Sequence, residues 1–565
     1  MSTLADTRDA ALPEREAVIA ERFDLPESQK ALIRWHLYLG FSALAFGVVH
    51  GLAQALSYAG IDILGWFPGL KTYYQGLTIH GVFNALVLTF AFANGFLSLT
   101  TARGLRRPLH GGLLHAQFWV LVAGIVLVSY AMFTGQASVL YTFYPPLQAH
   151  WSYYLGLALL VVSSWVTSIN LFVTLRAWRR ENPGQRIPLL TFVSIATYIM
   201  WDLASIGIAV EVVGLLLPWS LGMMQGSDPL VSRTLFWLSG HPIVYFWLLP
   251  AYVSWYMMIP RQVGGRLFSD PLTRVVFVLF ILLSIPVGFH HQYTDPGIPQ
   301  SMKAIHAVMT FAVFFPSMIT AFSVVNALEV GGRRRGGSGL VGWFWRLPWS
   351  DPSVAIQVLA MLTFVLGGIT GLINASYTVN RVVHNTTWVP GHFHMTVGSA
   401  VVMTFMGIAY WLVPWLKGRK LWGGKLAVIQ GWLYFIGVMV LSRGLVSAGL
   451  EGVPRRTFMA GANYSKESWH LAGLWTATGG MMMFIAALLF FLILVMTIFA
   501  GRKGEAPEIP VTATAQPAAS RGWELRLDQF RWILVLALIL IAIAYVPFFV
   551  QYWPPKLVVP GFRLY

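Results

Sequence analysis

Cysteine is absent from the 565 residues, and only 11% of them are charged. Without cysteine there can be no disulfide, no thiolate-bound zinc, no iron–sulfur cluster and no copper site built on thiolates. No short internal repeat and no separate soluble domain can be seen. The first 29 residues mix both signs of charge, which does not fit a signal peptide. What fills the chain is apolar: 56% of residues are hydrophobic. Runs long enough to cross a bilayer recur near 30–58, 71–100, 111–133, 151–176, 189–218, 232–259, 272–290, 303–328, 353–375, 390–414, 426–449, 469–500 and 529–551. Lipid requires backbone polar groups to be paired within helices or closed barrels, and these runs are too long and uniform for barrel strands. The expected fold is an all-α, polytopic transmembrane bundle of about 13 spans.

The formal charge of +16 could suggest nucleic acid, but its placement points to a membrane. With every Lys and Arg assigned to the nearer side, the N-terminus and the loops after even-numbered spans hold 28 of the 38. Arg176, Arg179 and Arg180, the triplet Arg333–Arg334–Arg335, and Lys417, Arg419 and Lys420 are typical. This positive-inside pattern puts the N-terminus in the cytoplasm and the C-terminus outside, as an odd number of spans requires. The expected organisation is a cytoplasmic segment 1–29, a twelve-helix core 30–500, a cytoplasmic linker 501–528, and a last helix with an outer tail, 529–565. Two stretches read as flexible: GGRRRGGSG at 331–339 and KGEAPEIPVTATAQPAAS at 503–520.

With cysteine gone, histidine is the available soft-metal ligand, and there are fourteen. Seven fall in clusters: His80 in GLTIHGVFNA, His241 in SGHPIVYFWLLPAY, the pair His290–His291 in PVGFHHQY, and His384, His392 and His394 in VVHNTTWVPGHFH. His36, His50, His110, His115, His150, His306 and His470 lie mostly near span ends, where hydrogen-bonded or solvated rings are the ordinary reading. Positions i and i+2 of a helix point about 200° apart, so His392 and His394 face opposite sides and can serve two separate centres. His241, His290 and His291 could form a three-imidazole site with an open position, suited to copper, zinc, iron or nickel. Tyr245, four residues after His241, shares its helical face.

These motifs, in this order and over essentially the whole chain, resemble subunit I of the haem–copper oxygen reductases. GHPIVY, the HH pair, PGHFH, LYTFYPPL and VPRR look most like the B family, the ba-type cytochrome c oxidases of thermophiles. The resemblance implies that His392 is the proximal ligand of a high-spin haem, that His80 and His394 ligate a low-spin haem, and that Phe393 helps couple the two. It implies a copper ion (CuB) on His241, His290 and His291, with Tyr245 joined covalently to His241. His384, Asn385, Arg455 and Arg456 would meet haem propionates. Tyr252, Tyr256, Ser317 and Thr320 would lead protons to Tyr245 by a single route, since the second route of A-family oxidases needs a glutamate where this chain has Ile243. The haems would be of b type (low-spin) and a type (high-spin).

One departure stands out. An aspartate is expected four residues before His384, and Asn380 occupies that place. An amide cannot titrate, so a pumping scheme storing a proton on that carboxylate does not transfer. Asp202 and Glu211 are further intramembrane acids, about 180° apart on their helix, with no assigned role. The implied activity is that of a cytochrome c oxidase in the cell membrane: reduction of dioxygen to water coupled to proton uptake and pumping. The resemblance implies a small subunit II carrying a dinuclear copper site, whose bridging cysteines this chain lacks, with cytochrome c as donor. A small single-helix subunit is a further expected partner, and nucleic acid is not. A quinol donor, a nitric oxide reductase of the same superfamily and a non-enzymatic secondary transporter are the alternatives. Tyr245 and Ile243 disfavour the reductase, and the ordered histidines disfavour the transporter.

Overall fold

The computed structural model describes residues 23–504, 508–512 and 522–564. Among these the chain forms helices, with only isolated bridges in place of strands. The long helices are α1 (Glu27–Ser57), α2 (Tyr73–Leu105), α3 (Gly111–Phe133), α4 (Trp151–Glu181), α5 (Leu189–Ser220), α6 (Pro229–Gln262), α7 (Asp270–Leu283), α8 (Gln300–Arg334), α9 (Pro352–Ala375), α10 (Trp388–Lys417), α11 (Gly424–Leu450), α12 (Glu467–Ala500) and α13 (Phe530–Tyr552). Twelve of them are long and apolar enough to span a membrane, and α7, with 14 residues, is the exception.

That exception corrects the seventh expected span, 272–290. The helix stops at Leu283, and the histidine pair lies beyond it in a 3₁₀ turn, Gly288–Gln292. Pro286 accounts for the stop, because it disfavours helical backbone at Ile285 and has no N–H to donate. Fourteen residues reach only about 21 Å. Irregular backbone at such a depth is tolerated only where protein encloses it, and Ile285, Gly288, Phe289 and His290 are all buried.

Sequence explains several of the helix boundaries. Asp228 caps α6 by accepting from Leu230 N–H (2.9 Å) and Val231 N–H (3.3 Å), with Pro229 in the first turn. Asp351 and Pro352 repeat the device at α9. Such side-chain oxygens satisfy donors that the helix start leaves free, and proline costs nothing there. His110 and His150 cap α3 and α4 through ring nitrogens, so these two are structural. Helix α6 is interrupted at His241, where Pro242 cannot continue the hydrogen-bond ladder.

Small residues set the helix seams. A methyl on Gly124 of α3 would lie 2.9 Å from the carbonyl of Gly156 on α4, and one on Gly156 would lie 2.8 Å from that of Gly124. Gly437 and Gly444 of α11 face α12 in the same way. Between helices in lipid, close backbone approach replaces the hydrophobic effect as the source of association.

Enclosure differs sharply among the helices. The most apolar stretches of α2, α6 and α10 are each 89% buried, against 33% for α8 and 28% for α13. The three enclosed helices carry His80, His241 with Tyr245, and His392 with His394.

Of the two stretches read as flexible, the first is helical at its start, and most of the second lies outside the described residues. Gly331–Arg334 complete α8, where Arg333 pairs with Glu329 at 2.6 Å. In the linker, Thr512 N–H donates to Met257 O (2.6 Å), and Gly522–Leu527 is helical. Asp528 pairs with the buried Arg274 of α7 at 2.7 Å. Residues 1–22, 505–507 and 513–521 lie outside the described residues.

Candidate metal centre and its surroundings

Three imidazoles meet between α6 and the turn after α7. Ligand atoms of His241, His290 and His291 all lie within 4.8 Å of one another. His241 Nδ1 sits 3.0 Å from His291 Nε2. The ring of His290 approaches that of His241 to 4.4 Å between centres. Hydrogen bonding decides which nitrogen of His290 is free. Thr310 Oγ1 donates to His306 O (2.6 Å), so it accepts from His290 Nδ1–H (2.8 Å). The lone pair of Nε2 is left for a metal. Trp237 stacks on His291 at 3.7 Å and 6°. Three neutral donors of this kind fit a copper ion. On the far side of His241, Nε2 lies 3.1 Å from Tyr245 Oη, as the four-residue spacing predicts.

The opposed directions of His392 and His394 are also present. His392 leans on α9, donating from Nδ1 to Gly367 O (3.0 Å) and Thr370 Oγ1 (3.0 Å). His394 faces the other way, toward His80 on α2. Their rings are 6.2 Å apart between centres and only 16° from parallel. One metal atom about 2 Å from each nitrogen needs about that separation. Both rings are turned for it: His80 Nδ1 donates to Gly47 O (2.8 Å) and His394 Nδ1 to Pro390 O (2.7 Å). A carbonyl only accepts, so each Nδ1 carries the proton and each Nε2 offers its lone pair.

The helical backbone is irregular beside two of these rings. Helix α2 widens into a π-turn at Val82–Val87, just after His80, and α10 does the same at Thr396–Val401, just after His394. Single π-turns inside helices are frequent at functional sites.

His80 and His394 line a cavity of about 1390 Å³, counting its open mouth, together with Phe393, Trp247, Tyr434 and, at one end, Arg455 and Arg456. Two loops are stitched together at that end. Thr386 pairs with Pro454, and Arg455 N–H donates to Asn385 O (3.0 Å). Arg455 also holds Asn385 Oδ1 at 2.9 Å. Asn385 and Arg456 both adopt left-handed backbone, φ 59° and 61°, which is costly away from glycine and gathers at functional sites.

The field here is positive. Burial, then the charges of Arg455, Arg233 and Lys303, push His384 down to about 4. Burial and neighbouring Arg456 push Arg455 down to about 10. His384 Nε2 and Arg455 Nε are buried without a partner. Orphaned polar atoms in a cationic pocket fit an anionic group such as a propionate. Asn380 is fixed by donating to Asn374 O (2.7 Å), and its Oδ1 accepts from His384 Nδ1 (3.0 Å).

The four residues expected below Tyr245 pair across α6 and α8. Tyr252 Oη donates to Ser317 Oγ (3.3 Å) and Tyr256 Oη to Thr320 Oγ1 (3.0 Å). The intramembrane acids lie elsewhere: Asp202 accepts from Ser168 (2.5 Å) and Glu211 from Ser232 (2.6 Å). Several partners escaped sequence reasoning, namely Thr310, Thr370, Trp237 and the carbonyls of Gly47, Gly367 and Pro390. A carbonyl carries no residue-type signal, and Trp237 could have been suspected only from its place four residues before His241.

Fold and site define a multi-pass membrane metalloprotein with a trihistidine centre beside a bis-histidine cavity. Residues 31–482 match the family described as cytochrome c and quinol oxidase polypeptide I. The chain is 42% identical to cytochrome c oxidase subunit 1 of Thermus thermophilus, over 98% of this chain and 100% of that protein. It is 28% identical to an alternative cytochrome c oxidase subunit 1 of Bradyrhizobium diazoefficiens, over 87% of each. It superposes on a chain of a haem–copper terminal oxidase dimer solved by cryo-EM with a TM-score of 0.90, at 37% identity and covering 94% and 95% of the two chains. The chain belongs to the haem–copper oxidase subunit I family, whose members use haem and copper.

Proposed function

We propose that this chain is the catalytic subunit of a respiratory terminal oxidase that reduces dioxygen to water, with cytochrome c as donor. The observation that carries the reading is the double set of oriented imidazoles: three converging within 4.8 Å, and two facing each other 6.2 Å apart. His241, His290 and His291 would hold copper, His392 a high-spin haem of a type, and His80 with His394 a low-spin haem of b type. When bound, these groups supply the electron transfer and oxygen reduction. The protein's part is to aim the rings: a carbonyl or a threonine ties Nδ1 of His80, His290, His392 and His394 and leaves Nε2 for the metal, while His241 keeps Nδ1 for it and turns Nε2 to Tyr245.

Tyr245 keeps a transferable proton on Oη beside His241. Tyr252, Tyr256, Ser317 and Thr320 bring protons toward it along the α6–α8 seam. Arg455, Arg456, His384 and Asn385 balance the propionates. Asn380 holds no ionisable proton, so a pumping scheme that stores a proton at that position does not transfer to this chain. The basic loops support a cytoplasmic N-terminus; protons would then be taken up from that side and electrons would arrive from the opposite face. With cytochrome c as donor, a dinuclear copper site would lie on a separate subunit II, since this chain has no cysteine to hold one. A small single-helix subunit is the other expected partner.

Metal analysis of the purified protein together with a reduced-minus-oxidised spectrum tests the reading. Two haems and one copper per chain are expected, with oxygen uptake supported by reduced cytochrome c. Haem with non-haem iron, or no haem at all, would overturn it.

A further inference from the structure

The turn that carries His290 and His291 is held by a helix that sequence order places far away. After α7 stops at Leu283, residues 285–289 leave the helical hydrogen-bond ladder while remaining buried. Their polar backbone groups must find partners or cost on the order of 1–3 kcal/mol each. The turn pairs Val287 N–H with Ile285 O (2.7 Å) and His290 N–H with Val287 O (3.2 Å), and two side chains supply further partners. Tyr545 of α13 is 2% exposed. Its Oη donates to Ile285 O (3.0 Å) and accepts from Gly288 N–H (3.1 Å). His306 of α8 is fully buried. Its Nδ1 accepts from Phe289 N–H (3.2 Å), so Nε2 carries the proton and donates to Ala544 O (3.2 Å), again on α13.

The geometry is tight. A methyl on Gly288 would lie 2.3 Å from Trp237 O and 2.5 Å from Tyr545 Oη, so glycine is needed between α6 and the hydroxyl. The Phe289 ring packs 4.2 Å from His306 and 5.4 Å from Tyr545. Helix α13 is itself anchored at its other end, where Asp528 meets Arg274.

We infer that Tyr545 and His306 are positioning residues for the copper ligands, and that α13 serves the metal centre by clamping the backbone of the His290–His291 turn. The inference rests on the reading of His241, His290 and His291 as a copper site. Supporting partners of metal ligands are typically worth about 10- to 100-fold in metal affinity.

The test uses the purified, metal-loaded enzyme. Copper retention against a chelator is measured by mass spectrometry. The vibrational band of carbon monoxide photolysed onto copper is recorded alongside the low-spin haem band. Tyr545→Phe keeps the ring and removes both bonds. It should lower copper affinity about 10- to 100-fold and shift or broaden the copper–carbonyl band, with the low-spin band unchanged. His306→Leu should do the same, and His306→Gln, whose amide can both accept and donate, should restore the wild-type band. This second pair decides the matter if Tyr545→Phe does not assemble. Phe548→Leu, which loosens packing on Phe289 without touching the bonds, should lower the melting temperature and leave the copper–carbonyl band in place. Wild-type copper retention and band in both Tyr545→Phe and His306→Leu would overturn the clamp. So would equal copper loss in Phe548→Leu, since that would mean general destabilisation. Absence of copper from the wild type would instead overturn the metal-site reading, and the clamp with it.

Discussion

Replacing Tyr245 by phenylalanine separates chemistry from packing. The ring stays, still 5.1 Å from Phe280 between centres. One polar contact goes, that of Oη to His241 Nε2 at 3.1 Å. A single hydrogen bond contributes about 1 kcal/mol net, too little to threaten a chain of this size. The loss to turnover should be far larger. A positioned proton donor contributes roughly 10²- to 10⁴-fold. Tyr245 would give an electron together with its proton, and dioxygen needs four electrons where iron and copper readily give three. The hypothesis is that Tyr245→Phe assembles with its haems and copper, melts within a few degrees of wild type, and consumes oxygen at least about a hundredfold more slowly. An oxygen electrode with reduced cytochrome c gives the rate, and metal analysis gives the occupancy. Peptide mapping of the wild type should recover His241 and Tyr245 in one covalently joined fragment. A metal-replete Phe variant with wild-type oxygen uptake would refute the catalytic role whatever the mapping showed.

Three further outcomes are expected. His394→Ala should remove the low-spin spectral band and leave a haem that binds carbon monoxide, because His392 leans on α9 while His394 faces His80; the opposite spectral pattern would reverse the two assignments. Thr320→Val and Tyr252→Phe each break one α6–α8 bond and should slow turnover with all metals in place; near-normal rates in both would sink the single uptake route. Gly156→Ala should push α3 and α4 apart, since the new methyl meets Gly124 O at 2.8 Å; overpacking of this kind costs about 1–3 kcal/mol, and an unchanged thermal unfolding curve would show that the seam is looser than its geometry.

Much of this protein is written in residue type and spacing. Long apolar runs with basic loops on alternate sides can only be a helical membrane bundle, because lipid leaves unpaired backbone no other refuge. The opposed directions of His392 and His394 follow from 100° per residue, and the shared face of His241 and Tyr245 from their separation of four. Both hold in three dimensions because each pair lies on one helix. What sequence could not show is everything set by contacts between segments. Helix α7 ends early because of Pro286, and the backbone of the buried turn that follows finds partners on α8 and α13. The free nitrogen of His80, His392 and His394 is chosen by carbonyls of Gly47, Gly367 and Pro390, which any residue could present. The meeting of His290 and His291 with His241, some fifty residues away, depends on helix packing. Local geometry is dictated by the chain itself, whereas convergence is dictated by which faces bury one another, and that is decided only when the whole bundle assembles.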